Sequence, residues 1–227
     1  MSQTINFRTE GDRAFDAFLQ RSEKALERGG SVKLSEQKRE KRSSDIVTPV
    51  DTGPLQEVLR LLFDKGERNC SSIGGHPDFQ HLENTNRVEY SAVTTLFVDM
   101  EGSTRLGLLN DPEQTFIYKD AIIRSAIEVI EAFDGHVHRI MGDAVLAFFG
   151  RQENPTESGV INGVNCASTL AAFFESVVQS KLEDVGLSGP QGIRIGLDYG
   201  PEEEVLWSSY GMKNTSEVTA TSFHVDI

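Results

Sequence analysis

Two acidic residues carry the first chemical signal in this 227-residue chain: Asp99 and Asp143, 44 positions apart. Asp99 closes the apolar, β-branched run AVTTLFVD, and Asp143 follows Gly142 inside HVHRIMGDAVLAFFG. A carboxylate ending a central strand and another at the tip of a neighbouring hairpin can meet at one sheet edge. With the backbone carbonyl of Met100 they offer hard oxygen donors suited to Mg²⁺ or Mn²⁺. Protein sites for Mg²⁺ use few carboxylates because phosphate oxygens complete the shell. Gly102 lets backbone approach a ligand closely. The amides of residues 100–105, Ser103 and Thr104 among them, open a helix, where phosphate is favoured. Metal and amides together make a triphosphate cradle. Taken singly, Asp99 also reads as a helix cap or strand-end residue, and Asp143 as a turn former.

The elements that must position these groups alternate. Residues 92–99 read as a buried central strand. Ser103 or Thr104 caps a short helix after it. Asp111-Pro112-Glu113-Gln114 restarts a helix; it runs to about Phe133, with Phe116, Ile123, Ile127 and Ile130 inward. Two short strands flank Gly142-Asp143, a two-residue hairpin loop with Gly at positive φ. Residues 158–182 form an amphipathic helix, and 188–192 a Gly/Pro loop. Residues 193–198 and 203–209 read as strands, and a last helix begins near Thr219. The order β-α-β-β-α-β predicts an α+β, ferredoxin-like sheet with helices on one face. That fold hosts many functions, so function must come from the site.

Residues 1–90 read as a helical and loop extension of a domain at 91–227. Phe15, Phe18, Leu19 and Leu26 share one helix face within residues 12–28. Residues 31–48 are polar, with Lys33, Lys38, Arg39, Lys41 and Arg42 clustered; they read as a solvated linker or a basic contact. A second helix starts at Thr52 and Pro54, with Leu55, Val58, Leu59, Leu62 and Phe63 as its apolar stripe. The extension packs either on the main domain or on a second copy.

Asp plus Glu number 35 and Lys plus Arg 22, a formal charge of −13. Such a chain is repelled by phosphate backbones, which argues against a nucleic-acid partner. No apolar run is long enough to span a bilayer, so no membrane is expected. The N-terminus lacks the apolar segment of a secretory signal. Cys70 and Cys166 form no disulfide framework. These features fit the cytoplasm.

LFVDMEGSTRL followed by GHVHRIMGDAVLAFF resembles the class III nucleotidyl cyclases, the adenylate/guanylate cyclase catalytic domain. IRIGLDYGP and EVTATSFHVDI resemble that family's later strand and nucleotide-contact segment. The resemblance spans residues 91–227. It implies a reaction in which the ribose 3′-oxygen attacks the α-phosphate of a nucleoside triphosphate, giving a 3′,5′-cyclic nucleotide and pyrophosphate. It also implies two Mg²⁺ or Mn²⁺ ions per site on Asp99 and Asp143, and a head-to-tail homodimer with shared sites.

Purine-using members of the family place Lys four residues before the second metal Asp; Arg139 stands there in this chain. They place Asp or a similar residue at the position of Glu217 to read the base, and Asn seven residues later. His224 holds that later position, which the resemblance makes catalytic. Arg is a planar fork where Lys is a point donor, so Arg139 and Glu217 reach further and suit a smaller base. Uracil's O2, O4 and N3–H match an Arg and a carboxylate. Cytosine reverses part of that pattern, so UTP is favoured over CTP. The plainer alternative is an ion pair on the sheet.

Together with GGHPDFQHLENT at 74–85, this combination resembles the bacterial pyrimidine cyclases of Pycsar antiphage defence. Their cyclic UMP or cyclic CMP activates a separate effector. Competing readings are an adenylate cyclase and a catalytically weak module that binds nucleotide or dimerises. The family's transition-state Arg falls near position 228 and its triphosphate Lys later, past Ile227. Arg105, Lys119, Arg194 and Lys213 are candidate substitutes. His136 and His138 have the i, i+2 spacing of metal ligands but no evident third partner, and are expected at the surface. Trp207 and Tyr210 either stack on a base or pack at a dimer interface.

Overall fold

The computed structural model describes residues 6–29, 53–67, 72–150, 156–184, 192–213 and 215–225. The basic cluster at 33–42, Thr52 and Cys70 lie outside them.

The central sheet contains β2 (Val93–Glu101), β3 (His136–Met141), β4 (Ala144–Phe149) and β5 (Gly192–Gly200), in the order β3-β4-β2-β5 with every neighbour antiparallel. This is the ferredoxin-like arrangement. One crossover holds α3 (Ser103–Leu109) and α4 (Pro112–Ala132). The other holds α5 (Thr156–Phe173), a π-helical turn at Phe174–Val178 and α6 (Gln179–Asp184). Strand alternation sends Leu96, Val98, Met100, Val145, Ala147 and Phe149 into one core with both crossover helices. Asp111 caps α4 by accepting from the Gln114 amide. Phe116, expected inward, is 44% exposed; Tyr118, Ala121, Ile122 and Val129 are buried in its place.

Helices α1 (Phe7–Gly29) and α2 (Pro54–Leu62) pack on α4 in this same core, through Ala14, Phe15, Phe18, Leu55 and Leu59. Burying each large apolar side chain contributes about 1.5–3 kcal/mol. The α2/α4 contact is reciprocal. Glu128 of α4 accepts from the Leu55 and Gln56 amides, capping α2 in the role expected of Thr52. Arg60 of α2 donates to the Glu131 and Ala132 carbonyls and to Asp134 at the C-terminal end of α4. Each helix thus supplies the charge that the other's dipole favours.

The other face of the central sheet meets a second, three-stranded sheet, β1-β6-β7, built from β1 (Val88–Tyr90), β6 (Leu206–Met212) and β7 (Thr215–Thr221). The helix expected near Thr219 is therefore a strand; TSEVTAT is rich in β-branched residues and pairs along the whole of β6. A 3₁₀ turn at Pro77–Leu82 closes this side. Phe79 stacks on Trp207 with ring centroids 4.0 Å apart, and Phe148 meets the same indole edge-on. Trp207 is buried and donates to the Ser91 carbonyl, so it serves the core.

Candidate active site

Asp99 pairs in register with Ala144, the residue after Asp143. The two residues therefore lie at the same end of the sheet, Asp99 on β2 and Asp143 in the adjoining β3/β4 turn. Gly142, at φ 70°, makes the two-residue loop between β3 and β4 possible. On the other flank Asp99 pairs with Arg194 of β5, whose Nη2 lies 2.5 Å from Asp99 Oδ2. A cation already stands on this carboxylate. Met100 turns its side chain into the core, leaving only its carbonyl as a ligand. The donor set fits a hard divalent ion. Among the described residues no group of three or more His, Cys, Asp or Glu side chains could hold one, so backbone, water or phosphate would complete the shell. Gly102, at φ 80°, is the N-cap of α3, in place of Ser103 or Thr104, which are its first two helical residues. The left-handed turn swings the chain from β2 into that helix beside the carboxylates.

Arg139 and Glu217 meet as an ion pair through Nη2 and Oε2. A β-bulge creates this geometry. Val137 pairs with Ala147 and Arg139 with Leu146, leaving His138 as the extra residue. A bulge re-aims side chains, and here His138 and Arg139 both turn to Glu217: His138 Nε2 lies 3.5 Å from Glu217 Oε1. Neither histidine of the pair is at the surface. His136 Nε2 and His138 Nδ1 both hydrogen-bond the Gly74 carbonyl, at 2.8 and 3.0 Å. The Gly74 amide in turn donates to the Val137 carbonyl. Burial holds the His138 pKa below its ordinary value, against the Gly74 contact and with the help of Arg139. Gly74, Gly75, Ser72, Gln80, Glu83, Ser216 and Glu217 line a cleft of about 470 Å³.

His224 lies elsewhere. Its Nδ1 is 2.9 Å from Asp198 Oδ2 and its Nε2 2.9 Å from Glu204 Oε2. Hydrogen bonds to Glu204 and then Asp198 raise its pKa. Asp198 pairs with Thr95, four residues along β5 from Arg194, roughly 13 Å from the Asp99 end at about 3.3 Å per residue. The structure thus brings Asp99 and Asp143 to one sheet end, pairs Arg139 with Glu217, and leaves His224 apart from the metal end of its own chain. Sequence reasoning missed Arg194 as Asp99's partner and the Gly74 strap. Strand alternation gave no sign of the bulge, and the carbonyl that both histidines bond, Gly74, lies 62 and 64 residues upstream of them.

No family model matches the chain. A Staphylococcus aureus protein named cytidylate cyclase is 46% identical over 175 residues, 77% of this chain and 41% of that protein. An Escherichia coli protein of the same name is 48% identical over 174 residues, 74% of this chain and 37% of that protein. The chain spans about two fifths of the length of these relatives. Among solved structures, the adenylyl cyclase CyaB from P. aeruginosa superposes with a TM-score of 0.56 at 17% identity, over 62% of this chain and 70% of that one. The guanylyl cyclase Cya2 gives 0.53 at 20% identity, over 61% and 67%. These share the fold. The chain has the fold of the class III nucleotidyl cyclases and, in sequence, is similar to bacterial proteins named cytidylate cyclase.

Proposed function

We propose that this chain is the catalytic part of a pyrimidine nucleotide cyclase that turns CTP into 3′,5′-cyclic CMP and pyrophosphate. The observation that carries the reaction is the Asp99–Ala144 register, which brings Asp99 and Asp143 to one end of the sheet near the left-handed turn at Gly102. Asp99, Asp143 and the Met100 carbonyl would hold Mg²⁺ or Mn²⁺, two ions per site. Bound there, the metal neutralises triphosphate charge and acidifies the 3′-hydroxyl. The first amides of α3, at Ser103 and Thr104, take phosphate oxygens. The ribose 3′-oxygen loses its proton and bonds to the α-phosphorus as the bond to the pyrophosphate oxygen breaks. Arg139 and Glu217 read the base. The relatives' name supports cytosine over the uracil that hydrogen-bond matching alone favoured.

The separation of the Asp99/Asp143 pair from His224 supports a site completed by a second copy, in a head-to-tail homodimer. A cyclic pyrimidine nucleotide acting on a separate effector suits a messenger in antiphage defence. The test is incubation of the chain with equimolar ATP, GTP, CTP and UTP plus Mn²⁺, with products identified by mass. Cyclic CMP is expected as the main product. A cyclic purine would discard the reading of Arg139 and Glu217. No cyclic product at all would leave a nucleotide-binding module.

A further inference from the structure

The contact between His138 and Glu217 poses a chemical problem. The Gly74 carbonyl can only accept, so His138 Nδ1 carries the proton of that 3.0 Å bond. In the neutral ring Nε2 is then a lone pair, and it lies 3.5 Å from Glu217 Oε1, another acceptor. Burial favours that neutral ring, and in it two acceptors face each other with no hydrogen between them. His138 cannot turn away: it is 2% exposed, set against the Phe148 ring, and strapped with His136 to one carbonyl. Gly74 is itself held at φ 131°, which side-chain-bearing residues rarely adopt. Arg139 occupies the other Glu217 oxygen. What this edge lacks is a donor, and Glu217 opens onto the 470 Å³ cleft.

Pyrimidine bases differ at this point. Cytosine presents a 4-amino group beside two acceptors, N3 and O2. Uracil presents one N3–H flanked on both sides by carbonyl oxygens. An amine seated at Oε1 satisfies the acceptor edge and leaves N3 and O2 to the Arg139 fork. A uracil N3–H seated there brings a carbonyl against the Nε2 side, where acceptor meets acceptor. Unpaired buried polar groups are what make such discrimination large.

We propose that His138 is a specificity-positioning residue. Its Nε2 faces Glu217, which Arg139 holds in place, so that the pair forms a two-acceptor edge that takes the 4-amino group of cytosine and turns away the 4-carbonyl of uracil. This rests on Arg139 and Glu217 reading the base.

The test is competition between CTP and UTP at equal concentration with Mn²⁺, for the wild-type chain, His138→Asn and His138→Gln, reading cyclic products by mass. Asn keeps an amide N–H near Nδ1 and removes the acceptor at Nε2; Gln places an amide oxygen near Nε2. His138→Asn should lower the cyclic CMP to cyclic UMP ratio about tenfold, equivalent to about 1.4 kcal/mol. His138→Gln should hold the ratio near wild type. An unchanged ratio in His138→Asn overturns the proposal, as does an equal loss in both variants, which would mean that the ring acts by packing. A wild-type chain that prefers UTP overturns it while leaving the cyclase reading intact. Should none of the proteins cyclise, the cyclase reading fails. Calorimetric binding of CTP against UTP to the three proteins then decides the role of His138 by the same pattern.

Discussion

At the residue scale, charge pairing sorts the ionisable groups. Asp99 holds Arg194 and Glu217 holds Arg139, so both candidate half-sites are neutralised by a guanidinium. Asp99→Ala and Asp143→Ala should each lower cyclisation by at least about 100-fold, the scale of losing one electrostatic stabiliser at a transferring phosphate. Wild-type turnover in either variant would refute the metal assignment. Arg139→Lys keeps the charge and loses the fork. It should cut kcat/KM for CTP about tenfold while leaving thermal stability unchanged, because the pair is half-exposed and such pairs add little. His224 makes a pH statement. Its pKa is raised above 6.5 by Glu204 and Asp198, so the folded state binds its proton more tightly than the unfolded state. Its stabilisation is full below 6.5 and fades as pH rises through the folded value. A thermal midpoint that falls from about pH 6 to 9 in the wild type, and falls less in His224→Asn, is expected. Parallel curves would exclude the linkage.

At the element scale, the α2/α4 exchange of caps decides where the N-terminal helices sit. Arg60 donates four hydrogen bonds, to Gly66, Glu131, Ala132 and Asp134. Burial would raise the Asp134 carboxyl, but Arg60 and Lys65 outweigh it and hold it below 3.8. Arg60→Ala should destabilise by about 2–3 kcal/mol, since charged hydrogen bonds to buried carbonyls are lost. The denaturant midpoint should drop with its slope unchanged. A shift within error would show that water replaces the guanidinium freely. The bulge in β3 is the second element-level device, because it turns His138 and Arg139 onto one carboxylate.

At the scale of the whole molecule, one core joins α1, α2 and the crossover helices on one face of the central sheet, and a second joins β1-β6-β7 to the other. If two copies share each site, mixing Asp99→Ala with Glu217→Ala chains should restore activity to about a quarter of wild type. Half of the random dimers are mixed, and each mixed dimer keeps one intact site. No recovery on mixing would place the whole site in a single chain.

Much was legible in the sequence, for local reasons. The run AVTTLFVD can only be a buried strand, DPEQ can only start a helix, and GD between two short apolar runs can only turn a hairpin. From those elements the β-α-β-β-α-β order, and with it the approach of Asp99 to Asp143, was readable. Motif resemblance singled out Arg139 and Glu217, 78 residues apart. Other features were set by contacts distant in sequence. SEVTAT is a strand because β6 lies beside it, although its local pattern also suits a helix. Trp207, His136 and His138 are buried because the 72–82 segment folds over them, which periodicity within one strand does not encode. Glu128 caps α2 from 72 residues away, and Arg194 faces Asp99 only through the β2/β5 register. Local propensity and pattern wrote the elements; burial and pairing between remote segments decided which side chains meet.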